Sequence, residues 1–209
     1  MSTSSTSKYF QIFSSKMHNK GFTLTELLVV ISIATILLTA MVFQQNKWND
    51  KLALNTQIYE LGLTLRQAQV FGLGVKEYVG GSGDKFDKAY GVHINMSTND
   101  RYYFCADADK DGVFDVGEVL ETKMLTRGVT INRICGRVGG SQSCSTSGAL
   151  SQLSTTFLRP EPKANIRFLN HGGNDLPTFS APAEIYFRSR NGTENYVQIN
   201  SNGYISISQ

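Results

Sequence analysis

The chain reads as an α+β protein in which one long N-terminal helix packs on a C-terminal antiparallel β-sheet or β-sandwich head. Three observations predict this. Leu27 to Phe43 is a run of 17 residues without a charge. Leu54, Ile58, Leu61, Leu65 and Ala68 then recur at spacings of four, three, four and three, one face of a helix. After Gly72 the apolar period changes to two, and glycine- and asparagine-rich turns divide the remaining residues into short runs.

Residues 22–43 form the membrane-spanning part. With Phe22 to Leu24 added, the apolar run reaches about 20 residues, or ~30 Å of helix, the thickness of a hydrocarbon core. Inside lipid a chain satisfies its own N–H and C=O groups, so the run is a helix despite its many β-branched residues. No Pro or Gly follows Phe43 before Gly62, so the helix continues as an amphipathic part over 44–72, for a total of ~75 Å. Lys51, Asn55, Glu60, Arg66 and Gln69 are assigned to its polar face. Gly72 and Gly74, then Gly80-Gly81-Ser82-Gly83, mark its end and a loop.

The head, 73–209, carries strand patterns at Ala89–Asn95, Arg101–Cys105, Val119–Leu125, Val129–Ile134, Asn165–Leu169, Glu184–Arg188, Tyr196–Asn200 and Tyr204–Ile207. Asn191-Gly192 and Asn202-Gly203 are hairpin signals, so the last three strands form a meander. The Ser/Gly-rich stretch 136–162 is read as a variable surface loop. Of the three cysteines, Cys135 and Cys144 close a short loop and are the first choice for a disulfide. Cys105 with Cys135, or all three reduced, are the alternatives.

Glu26 is the anomaly. A carboxylate near the start of a membrane helix costs on the order of 1–3 kcal/mol and marks a functional position. It follows Lys20-Gly21-Phe22-Thr23-Leu24-Thr25, and this combination resembles the class III signal of type IV prepilins and type II secretion pseudopilins. The resemblance implies a leader, 1–21, removed by a prepilin peptidase after Gly21, and N-methylation of Phe22. It also implies that Glu26 serves as the assembly carboxylate, pairing in an apolar filament core with the N-terminal amine of a neighbouring subunit. Implied partners are other pilin or pseudopilin subunits, the peptidase, an inner-membrane assembly platform and membrane lipid. The topology is single-pass, with lysines on the cytoplasmic side and the head outside. An ordinary secretory signal cut near Ala40, or a plain anchor, are the competing readings. Leu38 is bulky where a signal peptidase wants a small residue, and Glu26 interrupts the apolar region. Met17-His18-Asn19-Lys20-Gly21 would itself make a short positive leader, so translation from Met17 is expected.

The layout beyond the signal is similar to the GspH/FimT group of minor pseudopilins: a long helix closed by Arg66-Gln67-Ala68-Gln69, then strands ending in Gly203-Tyr204-Ile205-Ser206-Ile207. One departure is Phe43, standing where a proline often kinks such helices. The implied role is a low-copy structural subunit near the tip of a pilus or secretion pseudopilus. A DNA-capturing competence pilin and a calcium-stabilised surface adhesin subunit are the alternatives.

Asp107-Ala108-Asp109-Lys110-Asp111-Gly112-Val113-Phe114-Asp115-Val116-Gly117-Glu118 fits a twelve-residue calcium-loop pattern, with acids at positions 1, 3, 5, 9 and 12 and Gly at 6. The ligands would be Asp107, Asp109, Asp111, the Val113 carbonyl, Asp115 through water and bidentate Glu118, all hard oxygen donors suited to Ca2+. Strand-like residues rather than helices flank the loop, so it reads as a calcium loop joining two strands, with a solvated acidic turn as the competing reading.

Net charge argues against a nucleic-acid footprint. The chain carries +3, but all three lysines of residues 1–21 lie in the leader, and residues 22–209 hold 17 basic and 17 acidic groups. Arg159, Lys163 and Arg167, or Arg127, Arg133 and Arg137, are the candidate DNA patches. Tyr102, Tyr103, Tyr186 and Tyr196 are the candidate adhesive contacts. His18, His93 and His171 have no ligand-type partner at short spacing, and no catalytic motif occurs, so the reading is non-enzymatic.

Overall fold

The computed structural model describes residues 21–74, 76–78 and 85–208. A single helix, α1 (Leu24–Leu73), precedes ten strands. These are β1 (Ala89–Asn95), β2 (Arg101–Asp107), β3 (Val119–Met124), β4 (Thr130–Val138), β5 (Ser141–Cys144), β6 (Gln152–Phe157), β7 (Ala164–Leu169), β8 (Ser180–Arg188), β9 (Glu194–Ile199) and β10 (Ile205–Ile207). They form two five-stranded antiparallel sheets, ordered β3-β2-β1-β6-β7 and β10-β9-β8-β4-β5. The expected α+β architecture is therefore present. Residues 1–20 of the expected leader, 1–21, and the glycine run at 80–83 lie outside the described residues.

The chain divides into a unit ending at Phe43 and a unit beginning at Gln44. In the first, the apolar side chains of α1 are exposed throughout, and α1 is long and apolar enough to cross a membrane. Its hydroxyl groups are accounted for within the helix. Ser32 Oγ donates to the Leu28 carbonyl at 2.8 Å, Thr35 Oγ1 to that of Ser32 at 2.9 Å, and Thr39 Oγ1 to that of Thr35 at 2.7 Å. This back-bonding removes the polar cost of hydroxyls on a lipid-facing surface.

In the second unit, Leu54, Ile58, Leu61, Leu65 and Ala68 are buried and join both sheets in one core. Sheet residues on that core include Tyr90, Val92 and Ile94 of β1, Phe104 of β2, Ile185 and Phe187 of β8, and Val197 and Ile199 of β9. The helical face was legible from spacing alone. Its opposite face is less polar than expected: Trp48, Leu52, Leu63 and Val70 are each at least 61% exposed and, at spacings of four, eleven and seven, form one stripe.

The β8–β9–β10 meander follows its turn signals, with Asn191 Oδ1 accepting from Thr193 N and Asn202 Oδ1 from Tyr204 N. The stretch 136–162 is different from the expected surface loop. It holds the end of β4, all of β5 and all of β6, and β6 is an inner strand between β1 and β7 with Leu153 to Phe157 buried. Its Ser154-Thr155-Thr156 run has the composition of a loop. Thr155 nevertheless sits in a fully paired strand, and Ser154 and Thr156 are buried on the sheet's other face, beneath another segment described below.

Candidate functional site

The first candidate site is the junction from Gly21 to Glu26. Gly21 and Phe22 are exposed ahead of the helix. Thr23 begins the helix as its cap: Thr23 Oγ1 accepts from Glu26 N at 3.2 Å, and the Thr23 carbonyl accepts from Leu27 N at 3.1 Å. Thr23 and Glu26 stand in the spacing of a capping box, a local signal that sequence reading passed over. Glu26 is the acid of the first turn, where the helix dipole favours negative charge. Its side chain is therefore compatible with the helix start without help, and it is exposed.

The second is the connection between β2 and β3. Asp107, Asp109 and Glu118 converge, each offering a carboxylate oxygen within 4.8 Å of the others. Asp107 is 2% exposed; its Oδ2 accepts from Gly112 N at 3.0 Å, while its Oδ1 is buried without a partner. Glu118 Oε1 accepts from Ala108 N and its Oε2 from Asp115 N. Asp111 and Asp115 lie outside the trio, and Asp111 Oδ1 accepts from the Val113 N–H at 2.7 Å. Gly112 has φ +74°, a left-handed conformation that a side chain would strain. Burial raises the Asp107 carboxyl to about 6, with Glu118 and Asp111 adding repulsion, and burial likewise raises Glu118. Lys110 is turned away onto Asp87, whose carboxyl it holds below the usual range.

This connection does more than link two strands. Tyr103, His93, Ser154 and Arg167 are register partners across β2, β1, β6 and β7, so they form one row on the sheet face opposite the core. Cys105, Gly91, Thr156 and Asn165 form the next row. Phe114 of the acidic loop stacks on His93 at 4.2 Å between centroids and on Tyr103 at 5.4 Å. Arg167 Nη1 donates to the Asp111 carbonyl at 2.6 Å, and Lys88 Nζ to that of Ala108 at 2.7 Å. The loop thus covers the outer face, which is why polar His93, Ser154 and Thr156 are buried. Sequence spacing gave no sign of this fold-back; Phe114, an aromatic amid acids, was its one trace.

His93 makes the covered face acid-sensitive. Burial lowers its pKa to about 4, so it is neutral in the fold and charges more readily in the unfolded chain. The contribution is intact above pH ~6.5 and is lost as pH falls toward 4, amounting to about 3 kcal/mol. Asp107, raised to about 6, acts with the opposite sign, since acid relieves its buried charge. The expected result is read as a difference: His93→Phe should lose less stability than the parent between pH 6.5 and 4, measured by thermal unfolding. Equal slopes would contradict the buried, neutral assignment.

The remaining cysteines and candidate contacts are accounted for as follows. Cys135 and Cys144, register partners on β4 and β5, are joined by a disulfide. Cys105 is a buried free thiol, pushed up to about 12 by burial and then by Glu118 and Asp107. Of the basic candidates, Arg133 pairs with Glu194, Arg137 with Glu184, Arg159 with Asp87, Lys163 with Glu161 and Arg167 with Asp175. Tyr102 is buried beside Thr64, and Tyr186 packs on Tyr196 under the Arg133 guanidinium, so these tyrosines serve packing.

No curated protein and no solved structure matches the chain. Residues 16–42 match the family described as the prokaryotic N-terminal methylation motif. That match, on the segment holding Gly21, Phe22 and Glu26 and followed by an exposed apolar helix, supports a type IV pilin-like protein, membrane-anchored, processed by prepilin peptidase and assembled with other pilin subunits.

Proposed function

We propose that the chain is a minor pilin or pseudopilin of the GspH/FimT type, a non-enzymatic subunit built at low copy near the tip of a type IV pilus or type II secretion-like pseudopilus. The observation that carries this is the methylation motif running directly into an exposed apolar helix, together with an exposed apolar stripe on the part of α1 that packs on the head. Trp48, Leu52, Leu63 and Val70 form an apolar stripe on the side of α1 away from the head's core. Such a stripe suits packing against the helices of neighbouring subunits, whereas a plain membrane anchor has no use for it. Capture of DNA is the weaker reading, because most of the arginines that would contact phosphate already pair with carboxylates of the same head.

Mass spectrometry of the mature protein tests the reading. The expected N-terminus is N-methylated Phe22; an N-terminus at Met41, or an uncut chain, would sink it.

A further inference from the structure

We propose that Asp107, Asp109 and Glu118 form the core of a calcium site, and that the ion clamps the acidic loop over the outer face of the β3-β2-β1-β6-β7 sheet. Convergent carboxylates alone are common on surfaces. Here one of them is inside the protein: Asp107 is 2% exposed and its Oδ1 has no donor. Buried carboxylate oxygens without partners are rare and costly, and this one belongs to the trio whose oxygens lie within 4.8 Å of one another. No lysine or arginine among the described residues forms an ion pair with any member of the trio. A cation is the missing partner.

The donors identify its class. All three are carboxylate oxygens; Asp111, Asp115 and the Val113 carbonyl lie outside the trio but on the same short loop, and an ion would draw them in to complete a set of six or more hard donors. That number and the flexibility of a loop suit calcium better than magnesium, which demands a near-octahedral shell and keeps its waters. Drawing Asp107 at the end of β2 and Glu118, the residue before β3, onto one ion fixes both ends of the loop. Its middle, from Asp111 to Phe114, then rests on Arg167, His93 and Tyr103. The site lies wholly in the head and does not depend on the pilin reading, so the two stand or fall separately.

Cys105 reports on the clamp, because it is the chain's one free thiol and lies in the covered row beneath the loop. The test uses the full-length protein in detergent micelles. Calorimetric titration with calcium chloride should show one ion bound per chain, with Asp109→Asn lowering affinity at least about tenfold. Asp109 is exposed, so this variant spares the core. Iodoacetamide should alkylate Cys105 several times faster in chelator than in millimolar calcium, and calcium should lose this protection in Asp109→Asn. Absence of heat at millimolar calcium, unchanged binding by Asp109→Asn, or equal saturation by magnesium would overturn the calcium site. Equal alkylation in chelator and calcium would overturn the clamp.

Discussion

Replacing Glu26 with Val is expected to leave the precursor in the membrane and cut after Gly21, yet lower its incorporation into filaments by roughly 100-fold. The two halves of this result have opposite electrostatic signs. In the bilayer the carboxylate is a cost of on the order of 1–3 kcal/mol, so Val improves insertion. In the filament core that the proposed pilin role implies, the same carboxylate would answer the N-terminal amine of a neighbour, and removing one member of such a pair costs about 3 kcal/mol or more. Glu26 is the sole acid between Phe22 and Asn49, so no other side chain of that stretch substitutes for it. The local alternative is that Glu26 serves the helix start, where a first-turn acid is worth about 0.3–1 kcal/mol. Glu26→Gln separates the two. Glutamine keeps the capping-box shape with Thr23 and loses the charge. Sheared filament and membrane fractions, compared by immunoblot, should show Glu26→Gln failing to assemble as Val does. Assembly of Glu26→Gln at the parental level would reduce Glu26 to a cap.

What the sequence made legible were the features set by short-range periodicity. The buried face of α1 follows from Leu54 to Ala68 at helical spacing, and the meander follows from two Asn-Gly pairs, because both depend on neighbours within a few residues. The capping role of Thr23 is equally local, set by the Thr-x-x-Glu spacing to Glu26. The rest needed tertiary contacts. β6 is rich in Ser and Thr, and its outer residues are buried because a loop more than 30 residues earlier in the chain lies over them, which no window of sequence contains. The acidic pattern named six ligands by spacing; the fold brings three into mutual reach and turns Asp111 toward a backbone N–H. The apolar stripe of Trp48, Leu52, Leu63 and Val70 is not legible for a different reason. Polar residues interrupt it in the chain, and the Leu54-to-Ala68 face already supplies the apolar surface that packing on a head requires.

Gly72→Ala should destabilise the head by about 2–4 kcal/mol, against the propensity rule that Ala is the better helix residue by about 1 kcal/mol. Gly72 lies in the last turn of α1, where the helix meets the end of β6. A Cβ there would stand 2.2 Å from the Phe157 carbonyl oxygen and 2.8 Å from its carbon, both backbone atoms that cannot swing aside. The surroundings are also pinned. The Gly72 carbonyl accepts from Arg159 N at 3.1 Å, and neighbouring Phe71 packs edge-on to Tyr90 and Phe104 at 5.6 and 5.9 Å. Relief therefore requires moving the helix end off the sheet, which opens the aromatic cluster. Gly62→Ala supplies the contrast within the same helix. Its added Cβ would meet Ile207 Cδ1 at 3.0 Å, the tip of a flexible side chain, so the gain in helix propensity offsets a small rotation. Urea unfolding of both variants in detergent should show Gly62→Ala within about 1 kcal/mol of the parent and Gly72→Ala well below it. If Gly72→Ala matched the parent, the helix and β6 would not be in backbone contact, and the core would close by side chains alone.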